Sequence, residues 1–431
     1  MMSIDWRSER WKPLFFTIWG GQAFSLLGSR LVQFALVWQL TITTGSATIL
    51  ATATLVALLP EIILMPFTGA LVDRWNRRVV MILADSSIAL VTLVLVLLTA
   101  TGLLQIWQIY AALILRAIGG VFHYPAMQAS TSLMVPERQL SRVAGLNQTL
   151  YGAMSILAPP MGALLLAIWP LWAVLAVDIV TAAIAVLPLL WIRIPQPLRA
   201  AAQVKASGYW RDLADGFRYI WHWPGLLTVL VMAALINFLI SPAFTLVPLL
   251  VTKHFRMGVL ELGAIEAAVG IGTLLGGLVL SIWGGFKRRI LTTLAGLVGM
   301  GVGIFLVGAA PASLFWLALA GMFVVGITSS LVNGPIMAVL QSVVAPEMQG
   351  RVLSVSGALA SAMMPLSLAV AGPLSDALGI QLWFLMGGVA CTLMGIIGFF
   401  LPKVVHLDDR KASPPVAAEP ALENSSSPPA A

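Results

Sequence analysis

The residues able to do chemistry stand where lipid would surround them. Glu61, Asp85 and Arg116 all lie inside long apolar runs. A charged side chain at the bilayer centre costs about 2.5–3.5 kcal/mol on insertion scales, so such residues mark proton relays, ion pairs or substrate paths. Glu61 follows Pro60 and is the deepest acid of the first half of the chain, which makes it the first candidate for a protonation switch. A packing hydrogen bond beside the proline is the competing reading. Arg116, in "LILRAIGG", reads on its residues alone as one member of a structural ion pair with Glu61 or Asp85. Asp85 lies nearer a charged stretch, "GALVDRWNRRVVMI" (69–82), and reads mainly as a partner of its arginines. In that stretch Asp73 can cap the positive end of a neighbouring helix. Arg74, Arg77 and Arg78 can pair with carboxylates and lipid phosphates.

The elements that must position these residues are membrane helices. Of 431 residues, 59% are hydrophobic and 10% charged, whereas soluble domains carry roughly a quarter charged residues. Runs of this length cross a ~30 Å hydrocarbon core only as helices, being too continuously apolar for barrel strands. Twelve spans are expected, at 14–40, 47–70, 79–102, 107–134, 143–168, 171–192, 225–250, 259–283, 290–309, 312–338, 352–378 and 381–402. Twenty of the 24 Lys and Arg fall on one set of loops and two, Lys253 and Arg256, on the other. That bias places both termini in the cytoplasm of a plasma-membrane protein. The expected organisation is a six-helix bundle (1–192), a cytoplasmic linker with an amphipathic helix (193–224), a second bundle (225–402) and a disordered tail (403–431). In the linker Trp210, Leu213, Phe217 and Ile220 share one helical face, which suits a helix lying on the membrane surface.

The two bundles read as repeats. "PAMQASTSLMVPERQLSRV" (125–143) and "PIMAVLQSVVAPEMQGRV" (335–352) match in prolines, glutamate and the Arg-Val pair. A parallel repeat of two six-span halves is a transporter architecture, with the substrate path between the halves near the midplane. Several classes are disfavoured. One cysteine and four scattered histidines leave no metal site and no cofactor is implied. No G-x-x-x-x-G-K-[ST] loop supports a nucleotide-driven pump, and no catalytic cluster supports a membrane-embedded enzyme, which remains a remote alternative. The net charge of +7 is a topology signal and not a nucleic-acid footprint.

With its spans in place, the chain resembles the major facilitator superfamily. The stretch 69–82 is similar to that superfamily's motif G-x-L-x-D-R-x-G-R-R-x-x-L between spans 2 and 3, with Gly69, Asp73, Arg74, Arg77 and Arg78 in register and Asn76 in place of a glycine. Asn76 is expected to keep the turn because it tolerates left-handed backbone. The resemblance implies a latch in the outward-facing state, with Asp73 meeting span 11 near 354–356. "WGGFKRRI" (283–290) is a reduced copy with no acid matching Asp73, so the latch is expected to be asymmetric. Arg116 with Gly120 resembles the motif R-x-x-x-G, which implies proton or substrate coupling. "APPMGALL" (158–165) resembles the exporter motif G-P-x-x-G-G at Pro159 and Gly162, although two of its glycines are alanines here, and reads equally as a bent, small-residue packing face. "FSLLGSRLVQFALVWQLTITTGSA" and the paired "VPE…RV" segments resemble the branch of enterobactin exporters and macrolide efflux permeases.

The resemblance therefore implies an all-α transporter of two pseudo-symmetric six-helix bundles. It would export amphipathic, drug-like small molecules by proton antiport with alternating access. Export of a siderophore or other metabolite, or lipid translocation, is the alternative. Expected partners are membrane lipid, protons and a small-molecule substrate, with the chain acting as a monomer. Gln22, Phe24, Arg30, Phe34, Trp38, Phe238 and Phe244, in spans 1 and 7, are the cavity-lining candidates. Glu266 and Asp376 are acids of the second half that would line a cavity or bind a helix end.

Overall fold

The computed structural model describes residues 11–196 and 209–409. Twelve helices among them are long and apolar enough to cross a membrane. The first half comprises α1 (Trp11–Thr44), α2 (Ala47–Arg74), α3 (Arg77–Ala100), α4 (Ile106–Met134), α5 (Glu137–Ile168) and α6 (Leu171–Trp191). The linker contributes α7 (Tyr209–Trp221). The second half comprises α8 (Pro224–Thr245), the single turn α9 (Val247–Leu249), α10 (Val259–Trp283), α11 (Arg289–Ala309), α12 (Phe315–Val343), α13 (Pro346–Leu378) and α14 (Gln381–Phe400), followed by the short α15 (Pro402–Val405). A wide turn over Leu250–His254 joins α9 to the loop before α10.

The connectors are tighter than expected. Asp73 and Arg74 complete the last turn of α2, so only Trp75 and Asn76 separate it from α3. Asn76 is not left-handed: at φ −70° and ψ 108° its backbone is extended. Its side-chain oxygen instead accepts from the N–H groups of Arg78 (3.1 Å) and Val79 (3.4 Å), which caps the first turn of α3. The repeated Pro-Glu pairs also open helices: Val135–Pro136 precede α5 at Glu137, and Ala345 precedes α13 at Pro346. The face carrying these basic connectors is called the basic face below.

Small residues set the closest approaches. A Cβ on Gly28 would fall 2.1 Å from Thr181 Oγ1 and 3.0 Å from the Cα of Asp178, so α1 and α6 pack backbone to backbone there. The halves meet at the face opposite the basic one. A Cβ on Gly263 of α10 would lie 2.5 Å from Ala163 Cβ of α5. In a second contact between the halves, Asp376 at the far end of α13 accepts from Ser46 Oγ (2.8 Å), Ala47 N (2.8 Å) and Thr48 N (3.0 Å), and so caps α2. Toward the basic face the same helices part. A Cβ on Gly69, Gly145, Gly152 or Gly357, on α2, α5 and α13, would meet nothing within 4 Å. The structure is closed at the opposite face and open at the basic one.

The linker contains the helix α7, which docks on α13. Ile220 is buried, and Gly216 packs on the backbone of Arg351 in α13, with Asp215 3.5 Å from that arginine. Phe217 and Trp221 pair at 5.8 Å on the exposed side. The side chains of Trp210 and Leu213 lie outside the described residues. The tail is not disordered from 403 onward. Residues 402–409 pack on the bundle, where Asp408 accepts from Ile290 N (3.1 Å) and Asp409 lies 3.1 Å from Arg288. The reduced second-half motif thus receives its acids from the tail; residues 410–431 lie outside the described ones.

Overpacking a tight helix contact costs about 1–3 kcal/mol. Gly28→Val is expected to lower the melting temperature of the detergent-solubilised protein clearly more than Gly20→Val, where a new Cβ meets nothing within 4 Å. A scanning fluorimetry series on the two variants measures the difference.

Candidate functional site

A cavity of about 740 Å³ opens among α1, α2, α3, α4 and α5, and its wall carries Arg30, Glu61, Asp85, Arg116 and His123. Glu61, Asp85 and Arg116 all line it, so the sequence-derived set converges in space. Their partners differ from those expected. Asp85, 3% exposed, does not meet the motif arginines. It accepts from Gln22 Nε2 (3.0 Å) and Ser25 Oγ (3.3 Å), and its Oδ1 lies 3.5 Å from His123 Nε2. His123 Nε2 is also 2.7 Å from Gln22 Oε1, so a carboxylate, an amide and an imidazole form one linked group across α3, α1 and α4. The reason is helical phase: the motif arginines turn toward helix ends, while Asp85, two turns further in, turns toward α1.

Arg116 pairs with neither Glu61 nor Asp85. Its Nη1 lies 2.5 Å from Asp178 Oδ2 of α6, and the two side chains are 9% and 1% exposed. Asp178 also accepts from Thr92 Oγ1 (2.8 Å) and Ser29 Oγ (3.1 Å), and Arg116 donates to Thr92 as well. Four helices converge on this carboxylate. Glu61 has no hydrogen bond or ion pair among the described residues and is exposed to the cavity. It stands mid-helix in α2, 14 residues after Ala47 and so about 21 Å along the axis. That is the depth at which transporter substrates bind.

The charged connector acts within the first half. Arg77 bridges Asp73 (3.1 Å) and the carbonyl of Ala129 (2.9 Å), which ties α3 to α4. Arg78 donates to the carbonyls of Leu189 and Leu190 at the end of α6, the second at 2.7 Å. Arg74 and Gly69 are exposed. Asp73 is 64% exposed and does not reach α13 in this conformation, where Ser354 is also exposed.

Of the cavity-lining candidates, Gln22 and Arg30 line the first-half cavity. Phe244 lines a second pocket of about 320 Å³ among α8, α11 and α12. The others do not line either. Phe24 is 53% exposed on the outer side of α1, Phe34 is buried against Gly162 of α5, and Trp38 packs on the second-half core. Phe238 is half-buried, and its carbonyl accepts from Ser367 of α13. Aromatic type alone carries no helical phase, which is why these misplaced. Pro159 and Gly162 lie in an unbroken α5, on the face that packs against α1 and α10. Residues the sequence reading missed are His123, Tyr124, Asn147 and Tyr151. One signal was present: His123 follows Arg116 by two turns on one helix face.

Two six-helix sets of membrane-length helices, with a cavity at mid-depth in the first and a seal between the halves at one face, define a polytopic membrane transporter rather than an enzyme. The sequence model of the Major Facilitator Superfamily matches residues 18–357 and again 243–428, and the chain belongs to that superfamily. It is 34% identical over 400 residues to macrolide efflux protein A of Streptococcus pyogenes, covering 93% of this chain and 98% of that protein. It is 27% identical to the multidrug efflux pump Tap of Mycolicibacterium fortuitum, covering 88% and 94% of the two chains. The fold is shared with an inward-facing, unoccupied bacterial homologue of the human lysosomal transporter Spinster, at TM-score 0.66 and 14% identity over 93% of this chain and 97% of that one. A bacterial homologue of the iron transporter ferroportin, also inward-facing, matches at TM-score 0.64 and 15% identity, covering 89% and 98%.

Removing one member of a buried ion pair costs about 3–5 kcal/mol, because the other charge is stranded. Arg116→Gln and Asp178→Asn are each expected to reduce the folded yield sharply, and the double variant to recover part of it. Fluorescence-detected size-exclusion profiles of the three variants measure the coupling.

Proposed function

We propose that this chain exports amphipathic small molecules, macrolide-like compounds among them, by alternating access driven by proton antiport. The observation that carries the reading is the cavity at mid-depth, open toward the basic face and sealed opposite by the Asp376 clasp on α2. The relatives named for macrolide and multidrug efflux support the substrate class. The basic face is cytoplasmic, with both termini there, in keeping with the Lys and Arg bias. The conformation described is then the one that loads substrate from the cytoplasm. The chain works as a monomer.

The gating follows from two acids at opposite ends of the paired helices α2 and α13. Asp376 holds α2 to α13 at the outer face. When the halves rock, those three hydrogen bonds break and Asp73 swings toward the first turns of α13, whose N–H groups carry partial positive charge. The two contacts are alternatives, so each stabilises one conformation. The proton-coupling role fits Asp85 with His123, which sit on the cavity wall within 3.5 Å of each other. Arg116 is committed to Asp178 and acts as scaffold. Among the described residues no His/Cys/Asp/Glu group suited to a metal ion is present.

Inverted vesicles are expected to accumulate radiolabelled erythromycin when energised and to lose that accumulation when a protonophore collapses the gradient; accumulation that persists contradicts proton antiport. Asp85→Asn is expected to abolish uphill accumulation while leaving substrate counterflow in place. Spin-label distances across the outer ends of α2 and α13 test the gate. Asp376→Asn is expected to shift the population toward the outward-open form and Asp73→Asn away from it. Normal transport by Asp73→Asn at normal expression contradicts the latch.

A further inference from the structure

Each ionisable group on the cavity wall can be asked what satisfies it. Asp85 is held by Gln22, Ser25 and His123, and Arg116 by Asp178. Glu61 is different. It is exposed to the cavity and has no polar partner among the described residues. Ala57, Leu58 and Met65, three and four residues away on the same helix, flank it on the cavity wall and offer no donor. The second-half pocket among α8, α11 and α12 carries no ionisable side chain at all; its polar groups are neutral, such as Asn237, Ser241 and Asn333, between Met232, Leu297 and Met300.

We infer that Glu61 is the cation subsite of the transport cavity, receiving the protonated or quaternary amine of a lipophilic substrate. A lone carboxylate between low-dielectric walls projects its field into the cavity water and concentrates cations there. An ammonium restores the pairing that the protein leaves undone, and a charge-assisted hydrogen bond adds direction. Arg30, also on this wall and exposed, has no described carboxylate within ion-pair distance. Its donors suit the neutral carbonyl and hydroxyl oxygens of the same substrate. This assignment rests on the proposed export function and adds the chemical class that the cavity prefers.

The test compares erythromycin, which carries a tertiary amine, with its neutral N-desmethyl-N-acetyl derivative, binding to the purified full chain in lipid nanodiscs. Glu61→Gln is expected to weaken erythromycin about tenfold, in keeping with a charge-assisted hydrogen bond, and to leave the neutral derivative within about twofold. Glu61→Asp is expected to retain most of the preference. Equal loss for both compounds, or no loss for erythromycin, overturns the subsite. So does recovery of erythromycin affinity in Glu61→Gln/Arg30→Gln, because the carboxylate's role would then be to neutralise Arg30. If the wild-type chain binds neither compound, the macrolide reading of the function fails first. If it binds both and Glu61→Gln changes nothing, only the subsite fails.

Discussion

Hydrocarbon cannot solvate a charge, and the first half of this protein is organised around that constraint at Asp178. Its carboxylate lies under Arg116, Thr92 and Ser29, so α6, α4, α3 and α1 must all arrive at one point. The contact with α1 is possible because Gly28 presents no side chain where the helices cross. Geometry of this quality is what a buried ion pair needs, since the desolvation of two charges otherwise exceeds their attraction. Once Arg116 and Asp178 are satisfied by each other, the rest of the wall is free to face water. Asp85, Gln22 and His123 then form a second, shallower group, and Glu61 at mid-depth has no polar partner among the described residues.

The second half repeats the helices but not the charged cavity wall. Its pocket among α8, α11 and α12 is lined by amides, hydroxyls and aliphatic groups. Its reduced copy of the charged connector borrows acids from residues 408 and 409, which cap α11 and pair with Arg288. The corresponding acid of the first half, Asp73, is left exposed. A copy satisfied in this conformation suits an anchor, and an exposed one suits a contact made in another conformation. At the other end of the same helix pair, Asp376 spends its hydrogen bonds on the first turn of α2, where N–H groups would otherwise lack partners.

Much of this was legible from the chain. The twelve spans follow from run length against bilayer thickness, and the repeat is visible in Pro125, Pro136, Pro335 and Pro346. Glu61, Asp85 and Arg116 stood out because charge in an apolar run is costly wherever the run ends up. Helix ends were less legible: Asp73 and Arg74 prolong α2 past the hydrocarbon until the chain turns extended at Trp75, and Asn76 then caps the start of α3.

Which charges meet was decided only by tertiary structure. Arg116 and Asp178 are 62 residues apart, and Asp85 and His123 are 38, on helices whose rotation about their own axes the sequence does not state. A shift of one residue turns a side chain by about 100°, enough to move it from cavity to lipid. Phe24, Phe34, Trp38 and Phe238 missed the cavity for that reason, while Tyr124 and Tyr151 reached it. Composition fixed that the chain spans the membrane and how often, because transfer from water to lipid depends on residue type. Packing fixed the partners, because an ion pair in a bilayer depends on helix phase and on the small residues that let helices close upon it.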